Sequence, residues 1–82
     1  MPNIIYVGAL PDWKLEVKFD DGTTGIIDLK DRLFGEMFEP LREIEYFKKV
    51  GLDEFGAPSW PNGADLAPDA IYDDLRRISA AS

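Results

Sequence analysis

The clearest alternation in the chain runs through residues 13–20. Trp13, Leu15, Val17 and Phe19 are separated by Lys14, Glu16, Lys18 and Asp20. Successive side chains of a strand point to opposite faces, so this pattern predicts a strand with one buried and one wet face. Before it, the apolar run Ile4 to Leu10 ends at Pro11-Asp12 and predicts a first strand. After it, Asp20-Asp21-Gly22 is a turn, and Thr23 to Leu29 forms the returning strand. Two registers fit that hairpin. A two-residue Asp21-Gly22 turn sets Asp28 beside Leu15 on the core face and exposes Ile27 and Leu29. A three-residue loop with Gly22 left-handed pairs Val17 with Gly25, Leu15 with Ile27, and Lys14 with Asp28 on the wet face. A one-residue slip turns every side chain over, so burial selects the three-residue loop.

Residues 29–38 show no sustained period and predict a connector, with a short helical turn around Asp31-Arg32-Leu33-Phe34 that stops at Gly35. Pro40 suits a first helical position, and Leu41, Ile44, Phe47 and Val50 supply an apolar stripe. Val50 to Phe55 and Ala57 to Trp60 predict a second, weaker hairpin around Gly56. A terminal helix is predicted from Pro68, with Asp69 in its first turn, Ile71, Leu75 and Ile78 at helical spacing, and a fraying tail at Ser79 to Ser82. Antiparallel strands interrupted by helices make an α+β domain: a three-stranded meander, a second short hairpin and two helices in one unit, residues 1–82. Ile4 to Leu10 falls at a sheet edge, which makes a homodimer by sheet extension an expectation.

Composition narrows the chemistry. The 82 residues include no cysteine and no histidine. Disulfides and thiolate metal sites are excluded, and the commonest general base, metal ligand and pH switch are missing together. Stability must come from apolar burial, for which 45% hydrophobic and 12% aromatic residues are an adequate supply. A formal net charge of −7 works against direct nucleic-acid binding. It favours solubility and complementarity to a basic partner. The start Met1-Pro2-Asn3-Ile4-Ile5 lacks the basic and long apolar parts of a signal peptide, and no apolar run approaches a bilayer span. A cytoplasmic protein without membrane contact is expected.

Any catalysis would rest on Asp, Glu, Lys, Arg, Tyr, Ser or Thr. The pairs Asp20-Asp21 and Asp73-Asp74 could be read as a carboxylate dyad or a magnesium site. A hairpin turn and a wet helix face explain them more simply. Gly22, Gly25, Gly51, Gly56 and Gly63 are isolated and make no phosphate loop, and no serine lies in a nucleophile elbow. Trp13, Phe19, Phe47 and Trp60 could stack on a ligand, but their spacing reads as core. The sequence therefore predicts neither an enzyme nor a protein with a cofactor or metal.

The stretch Trp60-Pro61-Asn62-Gly63-Ala64-Asp65-Leu66-Ala67-Pro68-Asp69 is the most heavily specified. Pro61 fixes one angle, Asn62-Gly63 supplies positive φ, and Asp65 is placed to accept from the amides leading into the Pro68 helix. The competing reading is a rigid, partly exposed loop for docking a protein, since tryptophan is enriched at interface hot spots and loops carry function. On that reading Trp60, Asn62, Asp65 and Tyr72 form the contact edge.

This stretch, with Leu15-Glu16-Val17-Lys18-Phe19, Asp21-Gly22, Ile27-Asp28-Leu29, Phe38-Glu39-Pro40-Leu41, Phe47, Val50 and Tyr72, resembles a largely bacterial domain-of-unknown-function family, number twenty-four forty-two. The likeness spans nearly the whole chain. It implies a small α+β fold with a curved antiparallel sheet and no assigned catalytic residues. It also implies two roles. One is an interaction module, the antitoxin-like partner of a small basic protein. The other is a regulatory or ligand-sensing domain that works with a separate DNA-binding chain, because related proteins are expected to place this domain before a helix-turn-helix unit. Here the sequence ends within the helix opened by Pro68, so a chain without that unit is expected.

Overall fold

The structure, a computed structural model, describes residues 2–81, with the side chains of residues 78–81 outside that description. Three strands follow each other in the order β1 (Ile4–Leu10), β2 (Lys14–Phe19) and β3 (Thr24–Asp28), all antiparallel. The β2–β3 ladder pairs Val17 with Gly25, Leu15 with Ile27 and Lys14 with Asp28. That is the register of the three-residue loop, and burial is what fixes it. Leu15, Val17, Phe19 and Ile27 all lie on the inner face, and each is buried. β1 pairs with β2 along its length but carries a bulge between Ile4 and Tyr6, which leaves Ile5 exposed.

The chain uses one reversal three times. In Phe19–Thr23, Asp53–Ala57 and Trp60–Ala64, the first residue's N–H donates to the last residue's carbonyl. The glycine at the fourth position donates back to the first residue's carbonyl in each case. These glycines, Gly22, Gly56 and Gly63, have φ of 92°, 77° and 93°, angles that other residues adopt only with strain. An Asx side chain completes each loop: Asp21 accepts from Thr23 N–H, Asp53 from Ala57 N–H and Asn62 from Ala64 N–H. The second of these loops joins β4 (Gly51–Leu52) to β5 (Pro58–Ser59), the short hairpin expected around Gly56.

The helix expected from Pro40 is broken into two pieces. Glu39–Arg42 is a 3-10 turn, Glu43 is extended (φ −76°, ψ 116°), and α1 covers only Ile44–Phe47. The break has a tertiary cause. The Leu41 carbonyl, which a continuous helix would give to an amide one turn on, accepts the Trp13 indole N–H at 3.0 Å instead. The Arg42 guanidinium donates to the Leu33 carbonyl at 2.6 Å, holding the connector against the same turn. Trp13 can reach because it and Asp12 turn the β1–β2 corner with φ of 58° and 63°. A bulky residue in that region is strained, and the hydrogen bond to Leu41 helps to hold it there.

α2 (Pro68–Ala81) lies against β3 and closes the core. Ile71 and Leu75 face inward, and Leu75 sits over Gly25 so closely that a methyl group there would run into its Cδ2. Ile78's expected place on this stripe and the fraying of the Ser79–Ser82 tail lie outside the described residues. The core joins Leu15, Val17, Phe19, Leu41, Phe47, Trp60, Ile71 and Leu75 under one face of the sheet. The fold is α+β: a three-stranded antiparallel sheet, a two-stranded hairpin and two helices. No helix among the described residues is long and apolar enough to cross a membrane.

Candidate functional site

The four residues expected to form a contact edge separate into different surroundings. Trp60 belongs to the core and not to an edge: it is 3% exposed, packs on Phe47 at 5.9 Å between ring centroids, and donates its indole N–H to the Phe47 carbonyl at 3.0 Å. Burial of so large a ring with its one polar atom satisfied is the usual outcome when a partner carbonyl lies in reach. With Trp13 on Leu41, the two tryptophans grip the broken helical segment at both of its buried residues.

Asn62 is half-buried at the turn. Its amide nitrogen donates to the Met37 carbonyl at 2.9 Å, while its oxygen accepts from Ala64. Asp65 is exposed, and its main chain bridges to Ser59. Its carboxylate does not take the amides before Pro68 among the described residues; the Leu66 N–H donates to the Pro58 carbonyl instead. Tyr72 lies at the other hairpin. Its ring meets Phe19 edge-on at 5.0 Å, its hydroxyl donates to Asp21 at 2.6 Å, and the Arg76 guanidinium lies 5.7 Å from the ring centroid. That hydroxyl, with the Thr23 amide, holds the Asp21 carboxyl below its ordinary value of 3.8. Asn62 and Asp65 therefore share one neighbourhood, while Tyr72 serves the Asp21 turn.

The acidic pairs also have structural partners. Asp21 takes Tyr72 and Thr23, and Asp74 takes Arg32 and Arg77. Among the described residues no cluster of three or more carboxylates is arranged to hold a metal. Every buried side-chain polar atom among them has a partner, so none is left aimed into an empty pocket.

What the sequence reading missed is a group of apolar side chains in water. Phe34 is 67% exposed and Met37 is 45% exposed, both on the connector that Asn62 and Arg42 hold in place. The Met37 methyl lies 3.4 Å from where a side chain on Gly63 would begin, so it rests on the Trp60–Ala64 turn. Phe55, at the tip of the β4–β5 loop, is 83% exposed. The available signal was that Phe34 and Met37 straddle Gly35 where no helical or strand period applies.

The family model for a protein of unknown function, DUF2442, matches residues 4–77. The chain belongs to the DUF2442 family. That match takes in every strand, the clamped segment, the Asn62 turn and most of α2. No curated protein and no solved structure matched the chain.

Proposed function

We propose that this DUF2442 protein is a non-catalytic, cytoplasmic interaction module, the antitoxin-like partner of a small basic protein. The observation that carries the reading is the pair Phe34 and Met37, exposed on a connector whose backbone is fixed by Asn62 and Arg42. Apolar side chains left in water on a held backbone lose little further freedom on binding, and they gain the free energy of burial. Isolated exposed apolar residues are common on any surface; a fixed pair beside a half-buried polar anchor is less so. Glu36, between the pair in sequence, and Asp65, on the segment after the Asn62 turn, are exposed acids, and the chain's net charge of −7 would attract a basic partner. Asn62 and Asp65 thus remain in the proposed contact edge, joined by Phe34 and Met37 in place of the buried Trp60.

The test is affinity capture from the native host with the wild-type chain and with Phe34→Ser/Met37→Ser, whose altered side chains are exposed. A small basic protein retained by the wild type, lost by the double variant and toxic when expressed alone is the expected result. Capture of the same proteins by both chains, or of no basic protein, overturns the reading.

A further inference from the structure

The three-stranded sheet has two edges, and they differ. β1 is bulged between Ile4 and Tyr6, and β4 lies against it. β3 runs without a bulge, and among the described residues it pairs only with β2. The ladder fixes which of its groups are free. Phe19 N–H donates to the Thr23 carbonyl and Leu29 N–H to the Trp13 carbonyl. Alternation then turns the main-chain groups of Gly25 and Ile27 toward β2 and those of Thr24, Ile26 and Asp28 toward the open edge. The strand contains no proline or lysine, the residues that ordinarily blunt an edge. Ile26 is 52% exposed on the outer face. On the inner side a groove of about 310 Å³ runs between β3 and α2, lined by Ile27, Arg32, Asp74 and Arg77.

We propose that β3 pairs with β3 of a second copy, antiparallel, with Ile26 opposite Ile26 on the two-fold axis. The free groups are centred on Ile26, so this register pairs every one of them. Thr24 of each copy meets Asp28 of the other, and each facing pair exchanges two main-chain hydrogen bonds. Like charges are nowhere directly opposed, and the exposed Ile26 side chains cover one another. A shift of two residues sets the Asp28 carboxylate or Thr24 against isoleucine; a shift of one puts the main-chain groups out of phase. The basic partner proposed above is a poorer occupant. Around the groove Arg32 and Arg77 balance Asp28 and Asp74, which leaves no net charge to attract it. Arg32 reaches across to Asp74 at 3.4 Å, but that ion pair is exposed and gives way at little cost.

Five residues make a short seam, about 17 Å long. The interface falls at the small end of specific contacts, so the dissociation constant should be on the order of 100 µM. Two copies, each of charge −7, repel through solvent. Salt should therefore strengthen the dimer.

Sedimentation equilibrium from about 10 µM to about 1 mM tests this. The expected result is a concentration-dependent dimer that tightens with sodium chloride. Thr24→Asp sets a second acid against Asp28 of the other copy, yet within its own chain it faces Lys18, so the fold should hold. It should weaken the dimer tenfold or more with an unchanged melting temperature, while Thr24→Lys, which opposes Lys18 of its own chain and so lowers the melting temperature slightly, should tighten it severalfold. A strictly monomeric chain overturns the proposal, as does a dimer indifferent to Thr24→Asp and to Ile26→Lys. If the Thr24, Ile26 and Asp28 amides gain hydrogen-exchange protection only when a basic protein is added, the edge belongs to that protein and self-pairing fails. None of these outcomes bears on the Phe34–Met37 contact, which is read by capture.

Discussion

Each tryptophan in this chain places its single polar atom on a main-chain carbonyl of the same segment, Trp13 on Leu41 and Trp60 on Phe47. A buried carbonyl stripped of its donor costs about 1–3 kcal/mol, more than the bond itself contributes net. Trp60→Phe leaves the Phe47 carbonyl only the longer bond from Val50 N–H at 3.3 Å. With the gap left where the larger ring lay, it should destabilise the protein by about 1–3 kcal/mol, at about 4–8 °C of melting temperature per kcal/mol for a chain of this size. Trp13→Phe should cost less, because Trp13 is only half-buried. Thermal unfolding followed by far-UV circular dichroism gives the comparison, and equal losses would contradict the assignment. Tyr72 yields a pH-dependent prediction. Its hydroxyl, first, and the Thr23 amide keep the Asp21 carboxyl below 3.8 in the folded chain. A depressed carboxyl contributes stability that is fully present above the unfolded value and is lost as pH falls through the folded one. Tyr72→Phe should thus lower the melting temperature at neutral pH, and the gap from wild type should close well below pH 3.8. A gap that persists there would mean that the hydroxyl acts otherwise than through the ionised Asp21, as through the bond it accepts from Arg76. At this scale the sequence revealed residue types better than surroundings. Trp60 reads as core by its spacing and turn chemistry, and the docking-rim alternative stays open because nothing local says that the Phe47 carbonyl will lie within reach of its indole.

Among the elements, legibility follows how local the deciding physics is. The β2–β3 register was readable because it depends on alternation and on one glycine turn, all within residues 13–29. The break at Glu43 was not, because it is imposed by Trp13 from 28 positions earlier through the Leu41 carbonyl. Pro40 and the Leu41–Val50 stripe describe a good helix when read alone, and local propensity yields to such tertiary contacts. The packing of α2 was half-legible: the Ile71–Leu75 stripe marks its buried face, but only the fold shows that Gly25 is the surface it needs. Gly25→Ala should overpack that contact and cost about 1–3 kcal/mol. Leu75→Ala alone should cost about 2–5 kcal/mol through the cavity it leaves. Combined, the two should lose less than their sum, since each relieves the defect of the other, and urea titration of all four chains measures the coupling. Strict additivity would mean that α2 does not rest on Gly25.

At the scale of the whole molecule, charge and size act together. The chain measures 31 × 28 × 19 Å and carries a net charge of −7. In about 0.01 M salt the screening length is about 30 Å, so every acid feels every other across the body; at about 0.15 M it is about 8 Å. The melting temperature should rise between those conditions at protein concentrations low enough to exclude self-association, by a few degrees for each half kcal/mol of repulsion removed. An unchanged or falling value would show that the ion pairs of Asp74 and Glu45 outweigh the long-range repulsion. The acidic balance was plain from composition, and the alternating order of strands and helices from periodicity and turn residues. The free edge was not, because it is the placement of β4 that leaves β3 open and β1 attended.

The twin indole clasps also make the protein its own optical instrument. Trp13 is half-buried at a strained corner and Trp60 is sealed in the interior, yet both report on Leu41–Phe47, from opposite ends. Replacing either one leaves a single fluorophore whose emission maximum follows one clasp. If the two single-tryptophan chains shift to the red at the same fraction unfolded, the segment is released in one step. If Trp13 shifts first, the corner opens while the core is still closed, and the protein has a half-unclasped state that its fluorescence would reveal directly.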